Sequence, residues 1–251
     1  MRIAFIGNSH LAAFIEARDA IDAICGDAEI DFFGLPNQLF FGSPHLDGAA
    51  LRLEQPVGQA RDQLISENGA HVLDLGRYDL VLLTAHAFYF PYFVNDFRDL
   101  DVLGHAQTGD GNALISLACA QDIIRSRIRA YAVRLRQFFP QSPNIVVVQA
   151  PYPSTEAVCH SPELARLSDH PALGTLFEAY QSTLAAVSRN QGINLLCPPQ
   201  DTLAKPFFTK PEFARQRTLP DPTAASIGDY LHMNARYAER FFAYFHAEFL
   251  S

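Results

Sequence analysis

The chain has 251 residues, of which 49% are hydrophobic and 18% charged, and its formal net charge is −8. This composition excludes a disordered chain, and it supplies enough apolar residues for a core without covalent or metal staples. The acidic balance argues against a non-specific nucleic-acid binder, which needs a basic surface. No apolar run is long enough to span a bilayer, and the N-terminus lacks the pattern of a secretory signal. We therefore expect a cytoplasmic protein.

The cysteines and histidines give no sign of a metal or redox site. The four cysteines are far apart, with no paired spacing: Cys25, Cys119, Cys159 and Cys197. They are interpreted as small buried side chains in a reducing compartment. The histidines likewise show no ligand spacing. We expect no metal and no cofactor.

Short apolar runs alternate with helical patterns along the chain. The runs predict five strands buried on both faces, as in a parallel sheet, at 2–6, 29–33, 78–84, 144–149 and 193–197. Apolar residues at helical spacing predict helices at 11–24, 121–139, 171–190 and 235–249. This alternation predicts an α/β fold: a three-layer α/β/α sandwich with a mainly parallel five-stranded sheet and right-handed crossovers.

Three stretches interrupt the alternation. Asn68-Gly69, between 62–67 and 70–75, predicts a β-hairpin, and the alternative is a helix over 59–67 that the same dipeptide ends. We favour the hairpin. The stretches at about 34–75, 85–115 and 198–228 are interpreted as long loop insertions in a single domain spanning 1–251. Loops of this length are typical of lids and binding segments.

The first candidate site follows the first predicted strand, where the sequence is Gly7-Asn8-Ser9-His10. In open parallel sheets, ligands bind outside the carboxyl ends of the strands. A serine there is exposed, and its N–H lies at the start of a helix, where negative charge is favoured. The alternative is a serine that only caps the helix.

The second candidate site is the segment 228–234, just before the last predicted helix. Asp229 and His232 are three residues apart, so on a turn or a first helical turn they face the same side. The carboxylate can then accept the Nδ1 hydrogen and leave Nε2 free to act as a base. The alternative is that Asp229 or Asn234 simply caps the helix.

Together the two segments resemble the SGNH hydrolase superfamily, the GDSL-type esterases, lipases and acyltransferases. The Gly-Asp-Ser-Leu block of that family corresponds to Gly7-Asn8-Ser9-His10, and its final Asp-x-x-His block to Asp229 and His232. The resemblance implies a flavodoxin-like topology. It also implies a catalytic triad in which Ser9 is the nucleophile, His232 the base and Asp229 the residue that orients the base.

The oxyanion hole implied by the resemblance combines the N–H of Ser9 with two further donors. The family places Gly-x-Asn-Asp after the third main strand, whereas this chain reads Thr84-Ala85-His86-Ala87, so the third block is divergent. His86 stands at the position of the asparagine, and a neutral imidazole can donate one hydrogen bond. Asn95 is the alternative. The glycine donor after the second strand is Gly34, with Gly42 as the alternative.

The aromatic run Phe88-Tyr89-Phe90-Pro91-Tyr92-Phe93 either lines an acyl or sugar pocket or holds a long loop down. As substrate-binding residues we expect Asn8, His10, Phe88 and Tyr89. The chain is thus predicted to be a serine ester hydrolase or O-acyl (acetyl) transferase acting on a small acyl ester or acylated glycan. The alternative is a non-catalytic binding protein that uses the same cleft, which the divergent third block favours.

Overall fold

Short strands and helices alternate along the chain in the computed structural model. It describes residues 1–34, 45–47, 52–54, 59–70, 72–84, 88–108, 111–138, 144–205, 207–215 and 229–250. The strands are β1 (Arg2–Gly7), β2 (Glu29–Gly34), β3 (His45–Asp47), β4 (Arg52–Glu54), β5 (Val72–Asp74), β6 (Leu80–Thr84), β7 (Leu100–Val102), β8 (Ala113–Ile115), β9 (Ile145–Val148), β10 (Asn194–Leu196), β11 (Leu203–Lys205), β12 (Phe208–Thr209), β13 (Ala214–Arg215) and β14 (Asp229–Met233). The α-helices are α1 (Leu11–Glu16), α2 (Arg18–Cys25), α3 (Gln59–Asn68), α4 (Phe90–Val94), α5 (Leu117–Phe138), α6 (Pro162–Ser168), α7 (Leu173–Asn190) and α8 (Ala235–Phe249).

A parallel sheet of five strands forms the centre of the molecule, in the order β2-β1-β6-β9-β10. Counting only these strands along the chain, the order is 2-1-3-4-5, the flavodoxin-like arrangement. The register places Gly7 beside Gly34 and Thr84, and Thr84 beside Val148. The carboxyl ends of neighbouring strands therefore meet at one edge of the sheet. All five predicted strands are confirmed.

Helices cover both faces of this sheet. Side chains of β1 alternate between the faces, so that Ala4 and Ile6 pack with α5 and α7 while Ile3 and Phe5 pack with α1, α2 and α8. The four β1 side chains are 0% exposed, which explains why the strand is a continuous apolar run. The predicted three-layer sandwich is confirmed.

Three aromatic residues of the last helix also pack in the core. Phe241, Phe242 and Phe245 of α8 are fully buried. The ring of Phe5 meets that of Phe242 edge to face at 5.6 Å, a favourable geometry for aromatic pairs. Helix α8 is therefore fixed against β1, the strand that precedes the first candidate site.

The predicted hairpin around Asn68-Gly69 is wrong. Residues Gln59–Asn68 form α3, and Gly69 ends it with a left-handed backbone, φ 70°, while its N–H donates to Ile65 O at 2.8 Å. Strand β5 pairs with β4 and not with 62–67. The dipeptide suits either structure locally, because glycine ends helices in the same left-handed region that tight hairpin turns require.

The predicted helix over 11–24 is two helices. Ala17 separates α1 from α2 with φ −91° and ψ 11°, which are not helical values. The other predicted helices are confirmed, with ends shifted by a few residues. The aperiodic stretches contain short elements, such as α4 and β7 within 85–115 and β11 to β13 within 198–228.

The expectation that the cysteines are buried holds only in part. Cys25 is buried and Cys197 half-buried, but Cys119 and Cys159 are exposed. All four are free thiols. Among the described residues, no helix combines the length and apolar character that crossing a membrane requires.

Candidate active site at the carboxyl edge of the sheet

The turn after β1 presents Ser9 to solvent. Gly7 lies so close to β6 that a Cβ atom there would meet Thr84 Cγ2 at 2.6 Å and Thr84 O at 2.7 Å. Asn8 Oδ1 accepts a hydrogen bond from the N–H of His10 at 3.1 Å, and Asn8 O accepts from Leu11 N–H at 2.8 Å. Asn8 thus closes a turn just before α1 with both its side chain and its carbonyl, and the Ser9 side chain is exposed.

Ser9 Oγ lies 2.7 Å from Nε2 of His232, a residue 223 positions further along the chain. His232 is half-buried, whereas its neighbour His10 is buried with 8% exposure. The rings of His10 and His232 pack with their centroids 4.7 Å apart at a tilt of 40°. The two segments singled out in the sequence therefore meet, and their reactive atoms lie within hydrogen-bonding distance.

His232 lies on β14, so the expectation that Asp229 and His232 share a turn or a first helical turn is wrong. Strand β14 pairs antiparallel with β13, with Ala214 opposite Met233 and Arg215 opposite Asp229. Between these pairs β13 advances by one residue (214 to 215) and β14 by four (229 to 233), so His232 lies in a bulge. The Asp229 side chain lies outside the described residues.

Asn234 caps α8, as one of the two interpretations of this segment predicted. Its Oδ1 accepts from Tyr237 N–H at 3.2 Å. Its Nδ2 donates to Glu212 O at 2.9 Å and to Ala214 O at 3.0 Å, and its main-chain N–H donates to Phe213 O at 2.9 Å. Asn234 therefore ties the end of β14 to the segment 212–214 as well as to the helix.

The expectation that Gly34 supplies an oxyanion donor is wrong, because its N–H has another acceptor. Asn68 Oδ1 accepts from Gly34 N–H at 2.7 Å, and Asn68 Nδ2 donates to Gly34 O at 2.8 Å. This two-bond clamp ties α3 to the end of β2. The alternative donor, Gly42, lies outside the described residues.

The third block falls partly outside the described residues, since His86 and its two neighbours are not among them. Phe88, which follows, has φ 54°, a left-handed value that is costly for a residue with a side chain. Its carbonyl accepts from the buried Tyr180 hydroxyl and, at 3.5 Å, from Gln149 Nε2. These contacts fix the chain just after the site. Asn95 begins a 3₁₀ turn, and its Oδ1 accepts from Arg98.

The phenylalanines of the aromatic run after the third block pack in the core, as the interpretation of the run as a loop clasp predicts. Phe88 and Phe90 are fully buried, and Phe93 is almost so. The expectation that Phe88 binds substrate is wrong, because its side chain belongs to the core. Tyr89 is half-buried, and desolvation raises the pKa of its hydroxyl. Its ring packs edge to face on the exposed Tyr92 at 5.2 Å.

The structure assigns other roles to two further predicted substrate contacts. Asn8 is buried, with 8% exposure, and its amide oxygen serves the turn. His10 packs on His232 and is equally buried. Sequence reasoning missed the clamp formed by Asn68, because no local pattern links it to Gly34. A polar side chain at the end of a helix beside the sheet edge was the only signal.

The geometry of Ser9 and His232 suits proton transfer. A serine hydroxyl is a weak nucleophile until a base accepts its proton, and the base must lie within about 2.6–3.2 Å. Ser9 can donate to Nε2 only when the imidazole is neutral with its hydrogen on Nδ1. The helical hydrogen bonds begin with Leu11 N–H, so the N–H of Ser9 precedes them at the helix start.

Several solved structures are similar to the chain over almost its whole length. A protein from Lactobacillus plantarum is 18% identical, with 99% of this chain and 97% of that one covered and a TM-score of 0.38. An extracellular lipase from Streptomyces rimosus is 13% identical, with 97% of both chains covered and a TM-score of 0.43. The C-terminal catalytic domain of a Streptococcus pneumoniae peptidoglycan O-acetyltransferase, with a methylsulfonyl adduct, is 9% identical, with 98% and 89% covered and a TM-score of 0.37.

No protein-family model and no curated protein matches the chain. With identities and TM-scores this low, the similar structures carry no argument about activity, which rests on the geometry of the chain itself. That geometry has the strand order 2-1-3-4-5, Ser9 after the first of these strands and His232 just before the last helix. The chain therefore has a three-layer α/β/α fold with a flavodoxin-like strand order, in which Ser9 and His232 meet at the carboxyl edge of the sheet.

Proposed function

We propose that the protein is a serine-dependent ester hydrolase or O-acyl transferase that works through an acyl-enzyme. The observation that carries the proposal is the 2.7 Å contact between Ser9 Oγ and His232 Nε2. A serine that served only as a helix cap would turn its oxygen to the main chain. Here the hydroxyl faces an imidazole instead, and the side chain that accepts from the main chain in this turn is that of Asn8.

In the proposed reaction, Ser9 Oγ forms a bond to the ester carbonyl carbon while its proton passes to His232 Nε2. The tetrahedral intermediate then expels the alcohol, which takes that proton from the imidazolium. Water or a second hydroxyl next attacks the acyl group, again with His232 as base, and releases Ser9. Water gives hydrolysis and a sugar hydroxyl gives acyl transfer, and the proposed substrate is a small acyl ester or an acylated glycan.

The other proposed roles follow the resemblance. Asp229 orients the imidazole and stabilises its charged form. The N–H of Ser9 and the side chain of His86 donate to the oxyanion, with Gly42 in place of Gly34 as the further donor. Replacing Asp229 by Asn should then lower kcat by up to about 10⁴-fold, by analogy with serine proteases.

Labelling with a fluorophosphonate, followed by mass spectrometry, tests the proposal directly. We expect one phosphonyl group on Ser9 of the folded protein. The label should be lost in Ser9→Ala and strongly slowed in His232→Gln. It should be kept in the control Ser182→Ala, whose hydroxyl only bonds to Ala179 O in a helix. A label on another serine would exclude Ser9 as the nucleophile.

Hydrolysis of a chromogenic short-chain ester separates an enzyme from a binding protein that uses the same cleft. We expect turnover by the wild type and background rates for Ser9→Ala. Equal traces in both would favour the binding protein.

A further inference from the structure

The strand that carries His232 has little pairing within the part of the chain that the structure describes. There strand β14 pairs with the two residues of β13, and His232 lies between the two paired positions, where the register shifts. A bulge of this kind can re-aim a side chain, but it contributes no ladder hydrogen bond to hold it. A contact outside this short ribbon must therefore help to hold His232 in place, 2.7 Å from Ser9 Oγ.

Asn234, two residues after His232, makes that contact. Its amide Nδ2 donates to two main-chain carbonyls, Glu212 O at 2.9 Å and Ala214 O at 3.0 Å. Its main-chain N–H donates to Phe213 O at 2.9 Å. Three successive residues of the neighbouring segment are thus bound by one asparagine. Met233, between Asn234 and His232, is buried with 3% exposure, so the connecting residue is held as well.

A helix cap alone does not require this arrangement. Capping uses only the oxygen of the side chain, here Oδ1, which accepts from Tyr237 N–H at 3.2 Å. Serine and aspartate cap helices about as well as asparagine does. Neither has an amide that can donate to two carbonyls, so the donor half of Asn234 serves a purpose beyond the helix.

We propose that Asn234 is a positioning residue for His232: its amide clamps 212–214 and thereby holds the imidazole opposite Ser9. This inference rests on the proposed function, in which His232 is the base. Reacting groups must be aligned closely, and a displacement of about 1 Å can cost about 10²-fold in rate. Loss of the clamp therefore acts on kcat and leaves the binding of substrate unchanged.

The test compares Asn234→Ser and Asn234→Asp with the wild type. Both variants keep an oxygen that caps α8, and both lose the two amide donors. We expect kcat for a chromogenic ester, and the rate of Ser9 phosphonylation, to fall by about 10- to 100-fold per folded molecule, with KM unchanged. Circular dichroism gives the folded fraction of each variant. Ser161→Ala is the control, since it removes the cap of α6 and should leave kcat unchanged.

A cap-only role predicts a different result, namely normal kcat for Asn234→Ser once the folded fraction is counted, and this would overturn the proposal. A crystal structure of Asn234→Ser gives a readout that does not depend on activity. We expect Ser9 Oγ and His232 Nε2 to move beyond hydrogen-bonding distance there, and an unchanged 2.7 Å contact would also overturn the proposal. If the wild type itself is neither labelled nor active, the proposed function fails, and this crystal structure still decides whether Asn234 positions His232.

Discussion

Replacing Gly7 by alanine should damage stability and activity together, because the added methyl group has no room. Its Cβ would lie 2.6 Å from Thr84 Cγ2 and 2.7 Å from Thr84 O. Carbon atoms pack comfortably at about 3.5–4.0 Å, so the strands must separate by roughly 1 Å at this point. Thr84 can turn its methyl group away, but its carbonyl belongs to the backbone of β6. Overpacking of this kind costs about 1–3 kcal/mol.

The same displacement reaches the candidate site, since Ser9 is two residues beyond Gly7. A shift of about 1 Å is enough to break the 2.7 Å contact of Ser9 with His232 and to lower kcat by about 10²-fold. Urea denaturation and ester hydrolysis measure the two effects on the same sample. In Gly7→Ala/Thr84→Ser the methyl contact is gone and the carbonyl contact remains, so stability should recover only in part.

Gly174 provides the matched control for this substitution. It lies in α7, its backbone is not left-handed, and a Cβ there would meet nothing within 4 Å. Gly174→Ala should therefore stabilise the protein by about 0.4–1 kcal/mol, the opposite sign. If Gly7→Ala were as stable and as active as the wild type, the close approach of β1 to β6 would not constrain the site, and this reasoning would be refuted.

Two further predictions concern the clamp on β2 and a buried thiol. Asn68→Leu removes both hydrogen bonds to Gly34, each worth about 1 kcal/mol, so the free energy of unfolding measured in urea should fall by about 2 kcal/mol. The control is Asn190→Leu, at an exposed position. An equally small change in both variants would contradict the clamp. Burial, with a smaller effect of Asp22, raises the pKa of the Cys25 thiol from 9.0 to about 11. The folded state thus favours the neutral thiol, so this stabilisation is full below pH 9 and is lost as the pH rises towards 11. Unfolding curves of wild type and Cys25→Ala should differ in this pH window, and parallel curves would show that the thiol is not desolvated.

The central sheet could be predicted from the sequence because its strands are short apolar runs covered on both faces. Leu80–Thr84 and Ile145–Val148 have no competing pattern, and their local sequence determines their structure. Asn68-Gly69 is different, since the dipeptide suits both a hairpin and a helix end. The contact that decides between them joins Asn68 to Gly34, 34 residues earlier, and no local pattern reveals it.

The candidate site shows the same limit. Ser9 and His232 could be proposed because each stands next to a predicted element boundary. The local structure around His232 could not be predicted, because β14 forms by pairing with β13. Strand β13 has only two residues and no sequence pattern of its own. The role of Gly34 was wrong for a related reason: a free N–H and a clamped one are identical in the sequence.

An asparagine side chain binds the main chain next to each of the two reactive residues, Ser9 and His232. Each reactive side chain stands close to a helix start, where orphan N–H groups attract nearby polar side chains. Just before α1 the oxygen of Asn8 accepts from His10 N–H in a turn, and at α8 the oxygen of Asn234 accepts from Tyr237 N–H as the helix cap. In both places an asparagine accepts from the main chain, so the hydroxyl of Ser9 and the imidazole of His232 can bind each other. Moving the accepting oxygen onto Ser9 would keep the turn and remove the chemistry, because a hydroxyl bonded to the main chain has no base. The asparagines therefore link the main-chain structure around the site to the proposed activity.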